Sequence, residues 1–256
     1  KTMAMGNQLT FSGGGEMDNG MNVALSFTLD HGDGAASGAG FDSHSIAVGS
    51  DAMGTVTFAG DGASSAQNTI DTTAAGDIWD NTFTAADGTT AYANPGNATA
   101  GTKTLRWTLP SLMDGLASDI SYTASTTDVE ATVGYALTYT GVEGLSVSYG
   151  SGEVGGKTDG SDGSDVTTMK ASFAFGPITA AMSINDYDIT NASNEEQSSY
   201  KISYTVSDEL SISYGSETHE TTGTTADEEF DQISVSYTTG GLTASVSQTS
   251  AENVTT

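Results

Sequence analysis

Large apolar residues and small hydroxyl residues alternate one by one along many stretches of this chain. The clearest stretches are 145–149, 210–214 and 233–237, which read Leu-Ser-Val-Ser-Tyr, Leu-Ser-Ile-Ser-Tyr and Ile-Ser-Val-Ser-Tyr. Successive side chains of a β-strand point to opposite faces, whereas the period of a helix would mix the two sets. The alternation therefore predicts β-strands, each with one apolar face and one face of hydroxyl groups.

The predicted strands are joined by connections that alternate between short and long. Gly, Pro, Asn and Asp supply tight-turn geometry at the predicted short turns 18–20, 51–54, 141–144, 176–177, 207–209 and 240–241. Longer polar segments lie between these hairpins, at 30–42, 153–166, 188–196 and 220–228. Short turns on one side and long loops on the other are typical of outer-membrane barrels. The pattern predicts an all-β, transmembrane, antiparallel up-and-down β-barrel.

We predict fourteen strands in a single β-barrel domain that spans residues 1–256. They cover 5–12, 21–29, 43–50, 55–60, 102–109, 117–125, 130–140, 145–152, 167–175, 178–187, 197–206, 210–219, 229–238 and 242–250. One long stretch without strand pattern, 61–101, follows the fourth strand, and a loop of that length in a compact β protein needs a special reason. We expect it to fold into the lumen as an inserted constriction loop.

The composition excludes several classes of protein. With 36% apolar and 15% charged residues, the 256-residue chain has no apolar run that approaches the roughly 20 residues of a membrane-spanning helix. Six basic residues against 33 acidic ones give a formal charge of −27, which disfavours nucleic acid as a partner. The sequence has no Cys, its three His lack metal-ligand spacing, and no Gly-x-Ser-x-Gly elbow occurs. We therefore expect no enzymatic activity and no resident cofactor.

Aromatic residues precede several of the predicted short turns on the apolar side of the strands. Their spacing, about 31–34 residues, is that of a repeating hairpin. Aromatic residues at one depth of a set of strands predict an interfacial girdle. The alternative is cross-strand aromatic packing in the core of a β-sandwich. The predicted girdle residues are Tyr139, Phe173, Phe175, Tyr204 and Tyr237.

Several stretches resemble the general porins of alphaproteobacteria, especially those of marine lineages. They are 6–13 (Gly-Asn-Gln-Leu-Thr-Phe-Ser-Gly), 18–21 (Asp-Asn-Gly-Met), 53–60 (Met-Gly-Thr-Val-Thr-Phe-Ala-Gly), 176–179 (Gly-Pro-Ile-Thr) and the Ile-Ser-Tyr hairpins. The resemblance covers nearly the whole chain and implies a 16-stranded barrel, usually trimeric, with the third extracellular loop folded into the pore. It implies a Gram-negative outer membrane, contacts with lipid and lipopolysaccharide, and passive diffusion of small hydrophilic solutes. Because we count fourteen strands, we expect one strand to be missing at each end of the chain.

Strand parity places three basic residues on the hydroxyl side of their strands, where they alternate with large apolar neighbours. A basic residue on the lipid side would cost about 2–4 kcal/mol near the bilayer midplane. We therefore predict a pore-constriction wall formed by Arg106, Lys170 and Lys201. The opposed acidic residues on the constriction loop are Asp71, Asp77 and Asp80. Few basic groups in strongly acidic surroundings predict a preference for cations.

Acidic residues at short spacing also occur in the Gly-rich stretch 159–165. Such oxygen ligands suit hard cations, although no twelve-residue calcium loop with its terminal Glu is present. The weak candidate ligands are Asp159, Asp162 and Asp165, and we expect at most loosely bound Ca²⁺. A second interpretation therefore stays open, that of a secreted calcium-binding surface-layer or adhesive β protein whose apolar faces pack against another sheet.

Overall fold

The fold is a single antiparallel β-sheet. The computed structural model describes residues 9–29, 43–61, 64–76, 78, 103–125, 130–154, 163–189, 194–223 and 227–253. Fourteen strands lie within these ranges, and each pairs with its neighbours in the sequence. They are β1 (Leu9–Glu16), β2 (Asn22–Leu29), β3 (Ser43–Ser50), β4 (Gly54–Asp61), β5 (Thr104–Thr108), β6 (Leu116–Thr123), β7 (Thr132–Val142), β8 (Leu145–Val154), β9 (Ser164–Phe175), β10 (Ile178–Ile189), β11 (Glu195–Thr205), β12 (Leu210–Thr221), β13 (Glu228–Thr239) and β14 (Leu242–Glu252). The predicted up-and-down order of strands is confirmed.

The strand register keeps the two kinds of side chain on opposite faces. Ser203 of β11 lies opposite Ser213 of β12, which lies opposite Ser234 of β13. One residue along, Tyr214 of β12 lies opposite Ile233 of β13. We call the first side of the sheet the polar face and the second the apolar face. Because the side-chain period of a strand is two, one such register fixes the face of every residue in the pair.

The connections alternate in length as predicted, with short turns on one side of the sheet. One of the two-residue turns is the pair Gly240 and Gly241 between β13 and β14, whose φ angles are 56° and 83°. Two consecutive residues with positive φ form the two-residue turn that matches the twist of a hairpin, and glycine reaches this conformation without a Cβ clash.

The first strand extends further along the chain than predicted. The prediction was 5–12, but β1 is Leu9–Glu16 and runs through the three glycines at 13–15. These glycines lie opposite Val23, Ala24 and Leu25 of β2. A glycine run favours a turn because glycine loses much conformational entropy in a strand. Pairing with β2 overrides that local preference, and residues 5–8 lie outside the described residues.

Burial on the two faces is the reverse of that in a water-soluble β-sandwich. Large side chains of the apolar face are exposed, among them Phe175 at 74% and Val246 at 69%. The most deeply buried side chains are instead mostly polar and lie on the polar face, for example Asn185 and Gln197. Such an apolar face is stable against acyl chains, and the described residues do not form the dry sandwich core of the alternative interpretation. None of the helical structure in the described ranges is long and apolar enough to cross a membrane.

Candidate pore constriction

A segment that follows β4 lies across the polar face of the sheet. We call residues 64–76 and 78 the crossing segment. Near its start, the Ala66 N–H donates to Ser121 Oγ of β6 at 2.8 Å. Near its end, the Ile78 N–H donates to a carboxylate oxygen of Glu217 on β12, also at 2.8 Å. The crossing segment therefore runs over the strands between β6 and β12, roughly across their direction.

Short polar side chains give the crossing segment its irregular local structure. A 3₁₀ turn forms at Gln67–Thr69, and the Thr69 hydroxyl donates to the Ala66 carbonyl oxygen at 2.7 Å. Asp71 accepts a hydrogen bond from the Thr73 N–H at 3.1 Å. Ser, Thr, Asn and Asp offer the backbone such local partners in place of a strand ladder, so the segment lies on the sheet without joining it.

Lys170 of β9 holds the middle of the crossing segment. Its ammonium donates to Asp71 Oδ2 at 2.5 Å and to the Thr73 carbonyl oxygen at 2.7 Å. The lysine side chain is partly buried, whereas the Asp71 carboxylate remains largely exposed. Lys170 and Asp71, one predicted on the wall and the other on the loop, are therefore brought together. Asp77 and Asp80 lie outside the described residues.

The other two predicted wall residues also lie on the polar face, but in different surroundings. Arg106 of β5 has its Nε 3.7 Å from Asp119 Oδ1 on the adjacent strand β6. Lys201 of β11 lies opposite Ala181 and Gly215, and it forms no ion pair with a described residue. The three cations thus occupy separate positions along the wall, and their role in a constriction stays a prediction.

Sequence reasoning missed the main anchor of the crossing segment on β11 and β12. Ser199 Oγ accepts hydrogen bonds from the Ala74 and Ala75 N–H groups at 3.0 and 2.8 Å. It donates in turn to Glu217 Oε1 at 3.2 Å. Both side chains belong to the polar face, where an acidic residue and a serine carry no distinguishing sequence pattern.

Two small apolar clusters, which the sequence pattern did not predict, also join the crossing segment to the wall. Ala75 and Ile78 pack against Phe230 of β13, with Ala251 of β14 alongside. The second cluster consists of Ala66, Ile70 and Ala136. The sequence feature that could have indicated the first cluster is Phe230, a large aromatic residue at a polar-face position of its strand.

Two glycines of the wall let the crossing segment approach closely. A Cβ on Gly150 would lie 2.9 Å from Ile70 Cδ1, and a Cβ on Gly215 would lie 2.9 Å from the Ala75 Cβ. Real Cβ atoms essentially never approach other atoms so closely. Glycine at these two polar-face positions therefore makes room for the apolar contacts of the segment.

The five predicted girdle residues lie on the apolar face near the short turns. Phe173, Phe175, Tyr204 and Tyr237 are exposed there, and Tyr139 is half-exposed. Trp107, on the same face, donates its indole N–H to the Met53 carbonyl oxygen at 2.9 Å, at the short turn between β3 and β4. The positions suit amphipathic rings at a membrane–water boundary, and the girdle itself stays a prediction.

No metal site is found in the part of the chain that the structure describes, where no three His, Cys, Asp or Glu side chains are grouped to hold an ion. Of the candidate calcium ligands, Asp165 is exposed near the start of β9. Asp159 and Asp162 lie outside the described residues, so the stretch 159–165 remains an expectation.

Comparison with known proteins decides between the two interpretations of the apolar face. The whole chain, residues 1–256, matches the family described as Gram-negative porin. The chain belongs to the Gram-negative porin family. This porin is therefore an outer-membrane channel whose β-strands cross the membrane, with the apolar face toward lipid and the polar face toward water. The secreted surface-layer interpretation loses its support.

Solved structures agree with the fold. An anion-selective porin from Comamonas acidovorans is 15% identical with a TM-score of 0.60, and the match covers 93% of this chain and 75% of that one. A porin refined at 1.8 Å resolution is 13% identical with a TM-score of 0.63, covering 96% and 87%. The trimer form of in-vitro folded OmpT from Vibrio cholerae is 12% identical with a TM-score of 0.57, covering 95% and 80%. At these identities the likeness shows the fold alone, and no curated protein matches the sequence.

Proposed function

We propose that this porin is a general channel through which small hydrophilic solutes and ions diffuse passively, and that it has no enzymatic activity. The observation that carries the proposal is the crossing segment, which side chains of four strands hold over the polar face. A segment in this position narrows a water-filled lumen, so that solutes are sorted by size and charge.

We propose further that the channel prefers cations. The chain carries a formal charge of −27, and two of the three predicted wall cations lie beside a carboxylate, Lys170 beside Asp71 and Arg106 beside Asp119. Neutralised cations repel passing cations less, while the acidic surroundings raise the local concentration of cations. In this proposal Lys201, together with Asp77 and Asp80 of the loop, completes the charged constriction.

Reconstitution of the full folded chain in planar lipid bilayers tests the proposed function. We expect stepwise conductance increases in KCl and, across a KCl gradient, a reversal potential with the sign of a K⁺-selective pore. Folded, heat-modifiable protein that gives no current steps would contradict the channel. A reversal potential of the opposite sign would contradict only the cation preference.

The Lys170→Gln variant is expected to make the channel more cation-selective. The change leaves the exposed Asp71 carboxylate without its ion-pair partner. A unit charge about 8 Å from an ion in water changes its energy by ~0.5 kcal/mol, or about twofold in relative permeability. The measurement is the reversal potential in a KCl gradient, with Lys103→Gln at an exposed site just before β5 as the matched control. Equal selectivity in the two variants would argue against a constriction at Lys170.

We also propose the following assembly and surroundings for this porin. The trimer form of OmpT supports a homotrimer, and the exposed apolar face supports contact with outer-membrane lipid and lipopolysaccharide. The stretches 6–13 and 53–60 support an origin in alphaproteobacteria of marine type. No resident cofactor is part of the proposal, and the acidic stretch 159–165 recruits Ca²⁺ only loosely.

A further inference from the structure

Three backbone N–H groups of the crossing segment converge on two neighbouring side chains of the wall. Ala74 and Ala75 donate to Ser199 Oγ at 3.0 and 2.8 Å. Ile78 donates to Glu217 Oε2 at 2.8 Å. Because Ser199 Oγ donates to Glu217 Oε1 at 3.2 Å, the carboxylate receives one N–H directly and orients the hydroxyl that receives the other two.

This pair of side chains is built into the sheet and excluded from solvent. Ser199 and Glu217 lie directly opposite each other in the register of β11 and β12, with exposures of 2% and 1%. A buried carboxylate needs hydrogen-bond donors to offset its lost hydration, and bonds to an ionised acceptor are about twice as strong as neutral ones. The position therefore favours a segment that presents N–H groups to it.

Lys170 of β9 holds the other end of the run 73–78. It binds oxygen atoms of Asp71 and Thr73, whereas Glu217 binds an N–H group of Ile78. Strands β9 and β12 are three strand spacings apart, about 14 Å. The six residues from Thr73 to Ile78 are joined by five Cα–Cα steps, which span at most about 18 Å when fully extended. Little slack remains, so the run 73–78 is fixed at both ends.

We infer that Glu217 is a positioning residue of the pore: through its charge, and through Ser199, it sets how far the crossing segment extends into the lumen. The inference rests on the proposed function, since it assigns the part of the wall that fixes the constriction. Loss of the charge weakens the hold of the wall on Ala74, Ala75 and Ile78 while the Lys170 contact remains, so this end of the crossing segment moves further into the lumen.

Thiol labelling tests this inference independently of any current. The chain contains no Cys, so Ala75→Cys, at a buried position of the segment, introduces a unique reporter for a water-soluble maleimide. We compare the labelling rate of the folded chain alone and with Glu217→Gln, Glu217→Ala or Ser199→Ala. Glu220→Gln, an exposed carboxylate on the same strand, is the matched control.

We expect Glu217→Ala and Glu217→Gln to raise the labelling rate about tenfold or more, as loss of a hydrogen bond to a charged acceptor predicts. Ser199→Ala should give a smaller increase, and Glu220→Gln should leave the rate unchanged. If Glu217→Ala fails to fold, the Gln and Ser199→Ala variants carry the test. Unchanged labelling in the folded Glu217 variants, or an equal rise in Glu220→Gln, overturns the inference. Absence of channel current from the original chain overturns the proposed function instead.

Discussion

The Ile233→Lys variant is expected to lose about 2–4 kcal/mol of folding stability in lipid vesicles. Ile233 lies near the middle of β13 on the apolar face and is 56% exposed. In the membrane that exposure is to acyl chains, where a lysine at mid-depth has neither water nor a partner for its charge. The free energy of unfolding is measured by urea titration of the vesicle-inserted protein.

The matched control is Ser234→Lys, one residue along the same strand. Ser234 lies on the polar face opposite Ser213 and Ser247, so its lysine reaches water and the stability change should stay within about 1 kcal/mol. Both variants introduce a lysine at nearly the same depth in the membrane, so the pair tests only which face of the strand is turned toward lipid. Equal losses in both variants would contradict an apolar face turned toward lipid and a polar face turned toward water.

The Phe230→Ala variant is expected to destabilise the protein by about 3–5 kcal/mol, as removal of a fully buried phenylalanine does. Phe230 is 1% exposed and packs against Ala75 and Ile78 of the crossing segment. The cavity left behind opens between the segment and the wall. Urea titration measures the loss of stability, and open-channel current noise should rise as the segment loosens.

Phe173→Ala is the control for this substitution, because Phe173 is 46% exposed on the apolar face. Its removal leaves a gap that lipid fills, so we expect a smaller loss of stability and unchanged current noise. If the two phenylalanines proved equivalent in both measurements, the interior cluster would not hold the segment.

Most of the sheet could be predicted from the sequence because strand and turn signals are local. The alternation in 233–237 predicted β13, and Gly240 with Gly241 predicted the turn that follows it. The end of the first strand was predicted four residues early because its glycines at 13–15 resemble a turn when read without β2. Whether a glycine run continues a strand or forms a turn depends on the strand it pairs with, and a local sequence pattern does not contain that information.

The candidate site could be predicted only in part. Strand parity predicted Lys170 on the wall and the long interruption after β4 predicted a loop, and the structure brings Lys170 together with Asp71 of the crossing segment. Ser199 and Glu217 were missed because their serine and carboxylate look like any other polar-face residues. Phe230 was missed because its polar-face parity does not identify the residues of the crossing segment that pack against it.

The sequence by itself determined the strands and the two chemically opposite faces, because each follows from neighbours a few residues apart, and its composition determined the acidic character of the chain. Only the tertiary structure decided where the crossing segment lies and what holds it. Its hydrogen bonds to Ser199 and Glu217 join residues that are separated by 124 to 139 positions in the sequence. Contacts between residues so far apart produce no periodic pattern in a sequence. They form because the sheet places a buried carboxylate where the irregular backbone of the crossing segment has free N–H donors. Two glycines of the sheet leave space for the side chains of the segment at the same surface.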